Sequence, residues 1–257
     1  MPDCYVKKLY YDVIPGKGVD YDEAEPYTDE TDEFEVKVQD EIAEFQMSEG
    51  FGTVEEARAV VERYLEQWKI IIGLQNDPGD LSFRYRSVEI ETAGGDEDDL
   101  KRASCDISMR AGITAQAYVC RGAYPAPPRR FDITPDVKVM YERYKSFRNG
   151  EEPLPSMAYF CLTCLQNSAG DRESAAEEFR VSRTVLNTMG KLSSTRGSVR
   201  EARKHPDDGE FRELSSTAKN WLRTAVKKVI YRVGEHAAVD REELERITMD
   251  DLPDFVE

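Results

Sequence analysis

Arg200 and His205 stand five positions apart in the run Arg200-Glu-Ala-Arg-Lys-His205, the spacing in this chain with the clearest capacity for chemistry. An imidazole, with an ordinary pKa of about 6.5, takes up and returns a proton near neutral pH. A guanidinium keeps its charge and offers a planar fork of donors to two oxygens at once. Together they suit acid/base chemistry at a phosphate ester, with no metal required. The surroundings favour an anion: from Arg180 to His205 there are seven basic residues and one acid, Glu201, a local charge of +6 in a chain of net charge -16. Arg196 precedes the pair, and Arg203 and Lys204 lie between its two members.

The arginine, four intervening residues and the histidine resemble the R-x4-6-H signature of the HEPN superfamily. These are helical-bundle domains that include metal-independent ribonucleases of toxin and antiviral defence systems. The resemblance rests on six residues, covers the bundle from about 133 to 250, and implies a bundle that dimerises and binds RNA. In an active member His205 would be the acid/base on the 2′-hydroxyl and Arg200 would hold charge on the scissile phosphate. Arg196, Arg203 and Lys204 would bind the RNA backbone. Glu201 departs from the pattern, since many active members carry a smaller polar residue after the arginine, and Pro206 directly follows the histidine. Members that bind RNA or a partner without cleaving are common in the superfamily. Ser-Thr-Arg-Gly at 194 to 197, Glu-Ala-Arg-Lys at 201 to 204 and the closing Trp-Leu-x-x-Ala-Val-Lys-Lys-Val-Ile-x-Arg helix also resemble a bacterial group labelled methylamine utilisation MauJ-like.

Other motifs have plainer readings. Cys161-Leu-Thr-Cys164 lies in an apolar helix with no second pair, and two histidines in the whole chain leave zinc short of ligands. These cysteines read as core residues. Cys105 and Cys120 could face each other across strands, although no feature fixes that pairing. There is no Walker or Rossmann phosphate loop; Gly170 and Gly190 read as helix breakers. Carboxylates are too numerous for any D-x-D or E-x-x-E spacing to be specific. The site residues therefore call for no metal and no cofactor. His236 reads as an exposed or capping residue near a helix end.

The length allows two domains, each with its own core. Residues 1 to 132 carry 15 Lys+Arg against 29 Asp+Glu, net -14, and residues 133 to 257 carry 20 against 22, net -2. A pI near 4.7 argues against coating nucleic acid or an anionic membrane with the whole surface, though not against a local basic groove. Nothing approaches a membrane span or a signal peptide, and five unevenly spaced cysteines point to reduced thiols, so the expected location is cytoplasmic. The expected partners are RNA and a second copy of the chain, with a protein partner as the other reading. In that reading the bundle is a dimerisation or docking scaffold, and the basic stretch packs against the acidic first domain.

The expected fold class is α+β: an acidic sheet domain over 1 to 128, then an all-helical bundle over 133 to 257. Cys4 to Ile14 predicts a strand. Residues 17 to 33 read as a mobile acidic loop, and Phe34, Val36 and Val38 alternate as a half-buried strand that Ile42 and Phe45 extend. Thr53 and Glu56 match a capping box ahead of a helix with Val54, Ala57, Val61, Tyr64, Leu65, Trp68, Ile71 and Ile72 on its buried stripe. Leu81, Phe83 and Tyr85 alternate, then the phase switches to Val88 and Ile90, predicting a bulge or edge near Ser87. Ile107 to Val119 reads as further strand, and Pro125, Pro127 and Pro128 as a stiff linker.

Helices follow from Pro135, from Pro155, from Asp171 through about Leu192, and from Leu214, with a short one near Arg241 to Ile247. The helix from Leu214 carries an unbroken stripe, Leu214, Ala218, Trp221, Leu222, Ala225, Val226, Val229, Ile230, Val233 and Ala237. Its polar face, with Arg223, Lys227 and Arg232, is basic.

Overall fold

The computed structural model describes residues 4–48, 50–92, 101–104, 119–127, 130–194 and 213–254. The chain is α+β and forms two compact units, Met1–Pro127 and Pro128–Glu257.

In the first unit the strands are β1 (Cys4–Pro15), β2 (Val19–Asp20), β3 (Tyr27–Glu30), β4 (Phe34–Gln39) and β5 (Ile42–Met47). After helix α1 (Val54–Gln75) come β6 (Leu81–Thr92), β7 (Lys101–Ser104) and β8 (Val119–Cys120). A six-stranded sheet runs in the order β3-β4-β5-β1-β6-β7, with every pair antiparallel. The strand period of two places Leu9, Tyr11 and Val13, Val36 and Val38, and Ala43 and Phe45 in the core. Trp68 of α1 is fully buried, and its indole nitrogen donates to the carbonyl of Pro125 at 2.6 Å. Thr53 Oγ1 accepts from the Glu56 amide at 3.3 Å, satisfying a donor at the helix start.

Three sequence expectations change here. Ile42 and Phe45 do not extend β4: the chain reverses at Asp40 and Glu41, both at positive φ (51° and 58°), and Gln39 pairs with Ile42. That is a two-residue hairpin turn built without the asparagine and glycine that ordinarily announce it. Residues 17 to 33 are a structured stretch. Val19 and Asp20 pair in parallel with Val119 and Cys120, and Tyr21 is buried, stacked on Tyr124 at 5.0 Å and 6°. Local acidity hid these contacts because their partners lie about a hundred residues away. The phase switch in β6 is a bulge within the sheet: Ser87 faces Tyr10 and Tyr85 faces Tyr11, so Arg86 is the extra residue. The strand readings over 107–118 fall outside the described residues.

The second unit contains α2 (Pro135–Arg148), α3 (Leu154–Ala169), α4 (Arg172–Glu178), α5 (Arg183–Ser194) and α6 (Ser216–Ala238), followed by 3-10 turns at Arg241–Glu243 and Met249–Asp251. Thr134, Asp171 and Ser215 cap α2, α4 and α6 with side-chain oxygens. Gly170, at φ 99°, ends α3. Gly190 is no breaker: it is buried inside α5, and an added Cβ would meet the Arg172 guanidinium at 3.0 Å. The single helix expected from Asp171 to Leu192 is two helices, bent where Arg180 takes φ 51° and Val181 bridges in parallel to Ile247. The expected tail helix shortens to one turn, because Leu244 and Ile247 are buried and Ile247 makes that bridge.

Candidate functional site

Arg196, Arg200, Arg203, Lys204 and His205 all lie in 195–212, outside the described residues. The two ends of that segment are defined: it leaves the last turn of α5 at Ser194 and re-enters at Glu213 and Leu214, just ahead of α6. Glu213 and Leu214 line a cleft of about 680 Å³ in the second unit. In sequence, residues 206 to 212 separate His205 from Glu213.

Local sequence builds the two sides of this cleft. Beyond α2, the Asn149 amide donates to Lys145 O and Gly150 takes φ 77°, so the chain turns sharply and presents Glu151, Glu152 and Pro153 before α3 begins. Pro153 cannot cap with a side-chain oxygen, and α3 has no side-chain cap. Leu154 and Leu214 are buried and supply apolar floor, and the half-buried ring of Phe147 supplies an aromatic wall. On the other side Ser216, Lys219, Asn220 and Arg223 come from the first two turns of α6. Lys219 and Arg223 are four apart and so share one helix face.

The charges divide cleanly. Glu152 is only 11% exposed and is ion-paired with Arg143, whose guanidinium also sits 4.6 Å from the Phe160 ring centre. Glu151 and Glu213 are exposed. Arg223 donates from Nη2 to Asn220 Oδ1 at 2.8 Å, a neutral partner, and makes no ion pair among the described residues. Lys219 is exposed and makes no ion pair among the described residues. The cleft therefore offers two cations, two carboxylates and one ring, a set able to take a ligand with a phosphate, hydroxyl or amino donors, and an aromatic face.

Of the remaining candidates, Cys161 is fully buried, and burial pushes its thiol well above the usual range; Cys164 is half-buried and raised by burial and by Asp136. Both are packing residues without thiolate character. Cys120 is exposed, and Cys105 lies outside the described residues. His236 is partnered where an exposed or capping role was expected. Its Nε2 lies 3.0 Å from Glu178 Oε1 and its ring packs 5.0 Å from that of Phe179, tying the end of α6 to the end of α4. Arg232 does not belong to the basic polar face, being 6% exposed, and Ala237 is exposed rather than part of the buried stripe. Among the described residues no group of three or more His, Cys, Asp or Glu side chains is placed to hold a metal, and no helix is long and apolar enough to cross a membrane.

Sequence reasoning named Arg223 only as part of a basic face, and passed over Lys219, Asn220 and Phe147. Their signal was the i, i+4 cation pair beside an amide at the start of the longest apolar stripe. The signal becomes a site only once the α2–α3 turn is brought against it. No protein family, curated protein or solved structure matches the chain.

Proposed function

We propose that this is a cytoplasmic RNA-binding protein whose second unit is a HEPN-like helical bundle that cleaves RNA without a metal. The observation that carries the reading is the Arg200 to His205 pair at the end of the stretch from Arg180 to His205, whose net charge is +6. A cleft just ahead of and along the start of α6, whose cations Lys219 and Arg223 have no carboxylate partner among the described residues, supports it. In this reading two copies of the chain bring their Arg200 and His205 pairs to one groove. One His205 takes the proton of an RNA 2′-hydroxyl as that oxygen attacks the neighbouring phosphorus, and Arg200 holds the charge that builds on the phosphate oxygens. The bond to the 5′-oxygen breaks, and the leaving oxygen takes a proton from an imidazolium. The products are a 2′,3′-cyclic phosphate and a free 5′-hydroxyl. Arg196, Arg203 and Lys204 hold the flanking backbone.

The test is cleavage of a mixed RNA in EDTA by the purified chain and by His205→Ala. Cleavage by the wild type that vanishes in the variant supports the reading. Equal silence from both, with no RNA shift at low salt, removes it.

A second reading is favoured by the charge split between residues 1–132, at -14, and the +6 segment. Here the protein is a non-catalytic dimerisation or docking scaffold, and Arg196, Arg200, Arg203 and Lys204 neutralise acidic residues. It predicts no salt-dependent RNA affinity and a marked loss of stability when those four are replaced by glutamine.

A further inference from the structure

We infer that the cleft between the α2–α3 turn and the start of α6 binds one nucleotide unit of single-stranded RNA, with the phosphate on Lys219 and Arg223 and the base against Phe147. The inference rests on the RNA reading above for its choice of ligand, and it concerns residues distinct from Arg200 and His205.

The charge pattern supplies the first reason. Arg143, Lys145, Arg183, Arg241 and Arg246 in the same unit each face a carboxylate. Lys219 and Arg223 face none among the described residues, although the chain is strongly acidic and both line the same cleft. Two cations one helical turn apart can address the oxygens of a single phosphate, Arg223 with its fork and Lys219 as a point charge.

The second reason is the rest of the lining. A ligand carrying several phosphates would meet Glu151 and Glu213, so a polyphosphate is disfavoured. A single phosphate attached to a ribose and a base brings hydroxyl and amino donors that those carboxylates accept. Phe147 offers a half-buried ring of the kind on which unpaired bases stack. A base held in a duplex cannot reach such a wall, so the site selects single strands. The volume, about 680 Å³, lies within the range of small-ligand sites.

The experiment is fluorescence anisotropy of a short labelled single-stranded RNA of mixed sequence, with 2′-fluoro in place of the 2′-hydroxyls so that the proposed cleavage cannot proceed, over a series of salt concentrations. The proteins are the full chain, the double variant Lys219→Gln/Arg223→Gln and Phe147→Leu, each checked for an unchanged thermal transition. Loss of about tenfold in affinity for the double variant is expected, with the slope of log affinity on log salt reduced by about 0.7, the value for one phosphate on a single strand. Phe147→Leu should weaken binding about fivefold with an unchanged salt slope, since stacking is not a charge effect. Wild-type binding that neither cleft substitution alters, or equal affinity for the same sequence as a duplex, overturns the cleft and leaves the RNA reading standing. No binding by the wild type at low salt overturns the RNA reading and the cleft together.

Discussion

Arg232 donates from one guanidinium nitrogen to the carbonyl oxygen of Arg180 at 3.1 Å, across 52 residues of sequence. The same nitrogen donates to the Phe179 carbonyl at 3.1 Å, while Nε donates to Glu235 at 3.0 Å. The bend between α4 and α5 frees those carbonyls from helical partners, and a side chain from α6 satisfies them. Replacing Arg232 with Met should therefore destabilise the second unit by about 2–4 kcal/mol, because it leaves the Phe179 carbonyl and the Glu235 carboxylate without this donor, while the Arg180 carbonyl keeps the Ile247 amide at 2.8 Å. Urea unfolding checks this; a midpoint shift equivalent to less than about 0.5 kcal/mol would show that the bend holds without it.

The β4–β5 turn should accept a better sequence. Asp40 and Glu41 both occupy the left-handed region, where a side chain costs about 1 kcal/mol or more and asparagine or glycine costs less. The pair Asp40→Asn/Glu41→Gly should raise stability by on the order of 1 kcal/mol, measured as an increase in urea midpoint at constant slope.

That gain should depend on pH. Burial first, then Asp22 and Asp20, push the Glu41 carboxyl above its usual value. A carboxyl raised in the folded state favours folding below its unfolded pKa, about 4.3, and loses that contribution as pH rises through the folded value. Removing it therefore helps more at pH 7 than at pH 4. Equal gains at both would show that backbone strain alone was relieved.

Gly234 should not tolerate a methyl group. A Cβ there would lie 2.2 Å from Phe131 Cε2, and the Phe131 ring stacks on Tyr231 at 5.5 Å. Ordinarily glycine to alanine in a helix stabilises by about 1 kcal/mol. Here Gly234→Ala should destabilise by about 1–3 kcal/mol through overpacking, and the sign should reverse in a Phe131→Ala background.

Thiol labelling should follow burial. Cys4 and Cys120 are exposed and should react in the native protein, whereas Cys161, fully buried with its thiol pushed up, should react only on unfolding. Labelling of Cys161 at the rate of Cys4 would mean that α3 opens readily.

The patterns that decide element type were written locally. The aromatic and β-branched content of β1, the alternation of β4, the cap at Thr53 and the apolar stripes of α1 and α6 depend on residues within a turn or two of each other, so local pattern alone exposes them. The same holds for the β6 bulge, which the switch from Tyr85 to Val88 announces.

What failed to show in the sequence depends on distant partners. Tyr21 needs Tyr124, the bend at Arg180 needs Arg232 and Ile247, and His236 needs Glu178. The hairpin at Asp40 and Glu41 was hidden for a different reason, since neither residue type reports a left-handed backbone. The candidate chemistry divides in the same way. The amino-acid sequence by itself determined that Arg200, His205 and their basic neighbours form one segment between two helices, because charge and spacing are properties of the chain. Only the tertiary structure decided that Lys219 and Arg223 share a cleft with Phe147, because the end of α2 that carries the ring and the helix that carries the cations are about seventy residues apart and meet through packing alone.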